Sequence, residues 1–218
     1  VFGGQWSPDG RVIVYGTNED ATNLKNADIY LIGADGSNAR KIFSATSGSQ
    51  DSASDWHPDG RRLAITTDAS GTHRAGILDV ASGRVRWLGK EGVEEHSGRF
   101  SKDGKWLAVL RNHESQVRPV LYDVASGDPR ELRLEPGIST VIGFYDGDRK
   151  LLIGYQSETR RNEIASYDLG NDHLDTILRA DYGSIDPGIF VKGEHIYYPT
   201  FDGARTSSAA SGTWSEST

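Results

Sequence analysis

The chain contains no cysteine and no methionine. The first absence excludes disulfides, thiolate metal sites and cysteine nucleophiles. It leaves the compartment open, because cytoplasmic and exported proteins alike can do without cysteine. The second absence, with Val1 in first place, implies a processed or truncated product. No apolar run approaches the roughly 20 residues of a membrane-spanning helix, and no signal-peptide pattern opens the chain. Positive charge is scarce: 24 Lys and Arg stand against 31 Asp and Glu, a formal net charge of -7. A nucleic-acid backbone repels such a surface. The pairs Arg61–Arg62 and Arg160–Arg161 read as strand rims rather than as a phosphate track. The expectation is a soluble cytoplasmic or periplasmic protein with no nucleic-acid partner and no membrane insertion.

Proline is sparse as well, at 7 residues, whereas 26 glycines are spread along the whole chain. That balance points to many turns. What the chain does have is a repeat. W-S-P-D-G at residues 6–10 returns as W-H-P-D-G at 56–60 and as F-S-K-D-G at 100–104. A second marker follows each copy: D-I-Y-L-I-G-A-D-G (28–36), G-I-L-D-V-A-S-G (76–83), V-L-Y-D-V-A-S-G (120–127) and I-A-S-Y-D-L-G-N (164–171). The ends of these stretches lie 47, 44 and 44 residues apart. The first marker degrades to G-F-Y-D-G-D at 143–148 and to I-F-V-K-G at 189–193. Trp6, Trp56, Phe100, Phe144 and Phe190 keep about one position per unit.

Between the markers lie short runs such as R-V-I-V-Y, R-R-L-A-I-T, K-W-L-A-V-L, K-L-L-I-G-Y and H-I-Y-Y. They are rich in β-branched and aromatic residues, as strands are. Apolar residues often follow one another directly, which means that both faces of the strand are covered. No helical pattern lies between them, so the cover comes from other sheets. A generic antiparallel sandwich also has hairpins, but three close copies in phase with a second marker select a repeat architecture. The fold class is therefore all-β, a β-propeller of four-stranded antiparallel blades. About four and a half blades are present, either as a partial propeller or as a closed five-bladed ring. The partial propeller is favoured, because residues 205–218 are poor strand formers. Residues 1–203 form the propeller, with units of about 1–47, 48–91, 92–135, 136–180 and a partial 181–203. Residues 204–218 are a tail or the start of a following domain.

Each unit is expected to run as follows. Strand a ends at the aromatic, and the Asp-Gly bend turns into strand b. A variable loop leads to strand c, and an S-G or D-G turn leads to strand d. Asp9, Asp59 and Asp103 accept hydrogen bonds within their own turns, and Gly10, Gly60 and Gly104 take positive φ. Trp6, Trp56, Phe100 and Phe144 are expected between neighbouring sheets. These positions, with Phe190, are structural rather than catalytic.

The W-S-P-D-G pattern, the strand after it and the later I-Y and D-G or S-G resemble the TolB-type propeller repeat. The same repeat builds the propeller domain of prolyl oligopeptidase-family serine peptidases. The resemblance covers about residues 4–200, and Y-Y-P-T-F-D-G at 197–203 looks like the junction where those peptidases leave the propeller. After it, A-R-T-S-S-A-A-S departs from the apolar strand of that family. The resemblance implies a non-catalytic propeller that covers the active site of an α/β-hydrolase domain and restricts access. The implied partners are that missing domain, or another copy of the chain, and the peptide substrate of the parent enzyme. The alternative is a free-standing TolB-like module that binds proteins.

The chain by itself carries no expected chemistry. It has no G-x-S-x-G, so the nucleophile elbow of a serine hydrolase is missing. No cofactor is expected. The six histidines, His57, His73, His96, His113, His173 and His195, form no H-E-x-x-H or similar ligand spacing. Glu19, Asp20 and Asp28 in the acidic loop at 18–28 offer oxygens to calcium but miss the EF-hand spacing, so that loop reads as solvated.

Overall fold

The computed structural model describes residues 2–18, 22, 25–114, 116–191, 193–199, 201 and 205–211. Four antiparallel meanders of four strands follow one another along the chain, the last two joined by a parallel bridge between Val117 and Ile138. The first sheet is β1 (Phe2–Trp6), β2 (Val12–Thr17), β3 (Asp28–Gly33) and β4 (Arg40–Phe43), and the second is β5 (Ser52–Trp56), β6 (Arg62–Thr67), β7 (Arg74–Asp79) and β8 (Val85–Trp87). The third is β9 (Glu94–Phe100), β10 (Trp106–His113), β11 (Gln116–Asp123) and β12 (Pro129–Glu131). The fourth is β13 (Ile138–Tyr145), β14 (Lys150–Ser157), β15 (Arg160–Asp168) and β16 (His173–Leu178). Each sheet is a meander in chain order. The first strands β1, β5, β9 and β13 touch one another in sequence, so they line the common axis. These are propeller blades, numbered one to four below.

Three apolar layers separate the blades. Val14, Ile29 and Leu31 of the first blade meet Trp56, Leu63, Ile65 and Leu78 of the second. Ala64, Ala75 and Ile77 of the second meet Phe100, Leu107, Val109 and Tyr122 of the third. Ala108 and Leu121 of the third meet Phe144, Leu151, Ile153 and Tyr167 of the fourth. Side chains on both faces of an inner blade are thus buried, which is why the b and c strands read as continuous apolar runs.

The Asp-Gly bends occupy equivalent turns. Gly10, Gly60 and Gly104 have φ of 68°, 68° and 73°. Asp9 Oδ1 accepts from the N–H of Arg11 at 3.1 Å, Asp59 Oδ1 from that of Arg61 at 2.8 Å, and Asp103 Oδ1 from that of Lys105 at 2.9 Å. The turns also tie blades together. The His57 ring lies 3.0 Å from the Gly104 carbonyl, and the N–H of Asp103 donates to Asp148 Oδ2 at 2.8 Å. At the outer edge, Arg86 on β8 donates to the Val124 and Ala125 carbonyls of the next blade. Forty-four residues on, Arg130 on β12 clasps the Leu169 carbonyl and Asp172 of the fourth blade.

Three expectations change. Trp6 is exposed, unlike its counterparts Trp56, Phe100 and Phe144, because among the described residues no blade packs over it. Phe190 lies in no strand. Asp186 caps a 3₁₀ turn at Pro187–Ile189, and the half-buried Phe190 ring rests 5.9 Å from that of Tyr182. Residues Arg205–Ser211, expected to be poor strand formers, form β18, antiparallel to β17 (Glu194–Pro199). The polar segment pairs with β17 through its backbone, which needs no apolar side chains. Among the described residues β1 pairs only with β2, and β17 only with β18, so strand pairing does not close a ring. The described residues form four full blades and a hairpin, a partial propeller.

Candidate functional site

A buried polar network lies where the third blade begins. Glu94, Glu95 and His96 open strand β9, beside the b–c loop of the second blade. The backbone fixes this meeting: the N–H of Glu95 donates to the His73 carbonyl at 2.8 Å. Along a strand, side chains alternate between faces. Glu95 therefore turns one way, and Glu94 and His96 turn the other.

Glu95 is buried to within 1% of full. A buried carboxylate needs partners, and it has them. Its Oε1 accepts from Arg111 Nε at 2.9 Å and from the Tyr122 hydroxyl at 2.8 Å. Arg111 also donates to Tyr122 at 3.1 Å and pairs with Glu131 on β12. Burial, and then the hydrogen bond and charge of Glu95, push the Tyr122 phenol up to about 12. It stays a neutral donor at physiological pH. Burial works against the Arg111 charge, but the bonds to Glu95 and Tyr122 prevail and raise its pKa. Gly89 is required here, since it has φ of 63° and a Cβ would meet Glu95 Oε2 at 2.2 Å. A cleft of about 790 Å³ opens beside this network, lined by Lys90, Val93, Arg111, His113, Gln116 and Glu131 among others. The network orders charge; it contains no nucleophile.

On the other face, Glu94 Oε1 lies 3.5 Å from His73 Nδ1 and 3.5 Å from His96 Nε2. Among the described residues these three form the only grouping of three metal-ligating side chains. Taking the histidines singly by sequence spacing missed it. The legible signal was Glu94-x-His96, two ligands on one face of a strand; His73 comes from another blade.

The other sequence candidates are dispersed. Glu19 and Asp20 lie outside the described residues. Asp28 is buried and its Oδ2 is held by Lys41 Nζ at 2.9 Å, while Oδ1 has no hydrogen-bond partner among the described residues. Asp51 is also buried, and burial raises its pKa against the hydrogen bonds that its carboxylate accepts. His57 is packed in its turn, with its ring edge-on to Phe100 at 5.0 Å. Asp9, Asp59 and Asp103 face their own turns rather than a common centre.

No family model matches this chain, and no curated protein does. Solved structures do. A Mycobacterium tuberculosis puromycin-hydrolyzing peptidase is similar over 94% of this chain and 32% of its own, with a TM-score of 0.74 at 15% identity. Prolyl oligopeptidase B from Galerina marginata is similar over 95% of this chain and 30% of its own, with a TM-score of 0.71 at 14% identity. TolB from Acinetobacter baumannii is similar over 82% of this chain and 43% of its own, with a TM-score of 0.67 at 18% identity. The chain spans less than half the length of each. At such identities the likeness speaks for fold, and the fold is a TolB-like propeller resembling the propeller domains of the prolyl oligopeptidase family.

Proposed function

We propose that this chain is the non-catalytic propeller portion of a prolyl oligopeptidase-like serine hydrolase. In this reading it covers the active site of an α/β-hydrolase domain of the same protein and restricts peptide substrates by size and access. The observation that supports it is the extent of likeness. The two peptidases match 94% and 95% of the chain with TM-scores of 0.74 and 0.71, against 82% and 0.67 for TolB. The absence of G-x-S-x-G from these 218 residues agrees with a separate catalytic domain. A stack of blades laced at its turns suits an access filter, because rigid sheets hold loops at a fixed opening.

The second reading is a free-standing TolB-like module that binds proteins; the TolB likeness supports it. Reading the frame beyond Thr218 separates the two. The expected continuation is about 200–250 residues carrying G-x-S-x-G, then Asp and His. The extended product is expected to react with a fluorophosphonate and to cleave short peptides, and the 218-residue chain to do neither. A frame that ends without a hydrolase domain overturns the hydrolase reading. Equal cleavage of short peptides and folded proteins by the extended product overturns the filter.

A further inference from the structure

The repeat permits a test of which polar residues the fold requires. At the junction of the first and second blades the N–H of Asp51 donates to the Ala27 carbonyl at 2.8 Å, as Glu95 donates to His73 at the next junction. At the third junction Val117 bridges Ile138 in the same parallel manner. Shifting Glu94 and His96 by 44 residues gives Gln50 and Ser52 in one direction, and Ile138 and Thr140 in the other. His73 corresponds to Ala27 and Val117. The propeller is built at these positions without imidazole or carboxylate. Only the junction of the second and third blades has two imidazoles and a carboxylate there.

We propose that His73, Glu94 and His96 form a binding site for a divalent transition-metal ion of the zinc class, with two nitrogen ligands and one oxygen ligand. The separations fit. Tetrahedral zinc with bonds of about 2.0–2.2 Å places neighbouring ligand atoms roughly 3.3–3.6 Å apart. His73 Nδ1 and His96 Nε2 each lie 3.5 Å from the same Glu94 oxygen, and all three ligand atoms fall within 4.8 Å of one another. The two imidazoles are also close neighbours, with ring centroids 4.2 Å apart and planes 33° from parallel.

The surroundings support the ligands. Asn112, opposite Glu94 in the β9–β10 register, donates to Glu94 Oε2 at 3.4 Å and leaves Oε1 to the imidazoles. Such outer partners orient first ligands and strengthen binding. The Glu95–His73 backbone bond holds the two blades in register. The side chains are 38%, 38% and 45% exposed for His73, Glu94 and His96, so an ion reaches the site from solvent. Three protein ligands leave a fourth position for water or for a donor from another molecule. Imidazole with one carboxylate suits zinc, copper or nickel, whereas calcium and magnesium prefer oxygen alone. The ion also bridges two blades, and an ion that binds only the folded state stabilises it.

The test is titration of the chelator-treated chain with Zn²⁺ by calorimetry, with thermal unfolding as a second readout. The expected result is one equivalent bound with Kd of about 10 μM or tighter, and a raised melting temperature. His73→Ala and His96→Ala are each expected to weaken binding at least as much as the roughly 10–100-fold that losing an outer partner costs. Glu94→Gln should do the same. All three residues are partly exposed, so the metal-free variants keep the wild-type circular dichroism; a variant that does not is replaced by His96→Gln. His113 and His173 lie outside the grouping, beside Glu114 and Asp175, and His113→Ala and His173→Ala should bind as wild type. No saturable zinc binding by the wild type overturns the proposal. So does unchanged binding in a His73→Ala/His96→Ala variant, or calcium binding as tightly as zinc.

Discussion

Trp6 and Trp56 open the same motif in successive blades, and their fates differ. Trp56 is 6% exposed and Trp6 is 59% exposed. Both end a first strand and both precede an Asp-Gly turn. The difference lies outside their own blades. Trp56 packs on Val14, Ile29 and Leu31 of the preceding sheet, and its indole Nε1 donates to the Gln5 carbonyl at 3.2 Å. Trp6 has no preceding sheet among the described residues. A repeat motif therefore specifies a blade, whereas burial of its aromatic is a property of the neighbouring pair.

The largest expected effect tests that contrast directly. Trp56→Ala should lower unfolding free energy by about 3–5 kcal/mol, whereas Trp6→Ala should stay within about 0.5 kcal/mol as an exposed substitution does. Denaturant titration of the two variants measures both. Equal losses break the comparison, since they would mean that Trp6 is covered in solution.

A second pair contrasts the same turn at the two places. Gly10 and Gly104 share a left-handed backbone, with φ of 68° and 73°, but their surroundings differ. A Cβ on Gly10 meets nothing within 4 Å, whereas one on Gly104 meets the His57 ring at 2.4 Å. Gly10→Ala should cost roughly 1–2 kcal/mol for the left-handed backbone alone. Gly104→Ala should cost more, because it also pushes His57 off the Gly104 carbonyl. Thermal unfolding that ranks them in the opposite order would count against the turn-to-turn contact.

The smallest expected effect concerns acid. The Ser101 hydroxyl, then the Lys105 N–H, hold the Asp103 carboxyl below the ordinary aspartate value. A depressed carboxylate contributes stability above its unfolded value of about 3.9, and that stability is lost as pH falls through the lower folded value. Asp55 has the opposite sign. Burial raises it, only partly offset by the Phe100 N–H that donates to Oδ2 at 2.9 Å. Its ionisation costs stability as pH rises through the raised value. Asp103→Asn should flatten the acid limb of the stability profile, and Asp55→Asn should steepen it. Melting temperatures between about pH 3 and 6 check this, and shifts of the same sign in both would refute it.

The blades were legible because their signals are local. Asp-Gly bends, aromatics in phase and apolar runs such as L-A-I all concern one hairpin and its two covered faces. The exposure of Trp6 was not legible, since burial of a first-strand aromatic depends on a neighbouring sheet and not on its own motif. Phe190 kept the repeat spacing, yet Asp186 and Pro187 favour a capped turn over a first strand. Arg205–Ser211 looked too polar for a strand, but pairing with Glu194–Pro199 is made by the backbone. The His73, Glu94 and His96 grouping draws on two blades, and linear spacing is blind to contacts of that kind.

The lacing of neighbouring turns has a mechanical consequence. From the second blade to the fourth, each is tied to the next: His57 reaches Gly104, Asp103 reaches Asp148, and Arg86 and Arg130 each clasp the following turn. Among the described residues no strand pairing joins the first sheet to the last hairpin. Under tension applied to the chain ends the load passes through the junctions in series, so the molecule sheds blades from its ends one after another. The interior junction that brings His73 to Glu94 and His96 is shielded by a blade on either side, and yields late.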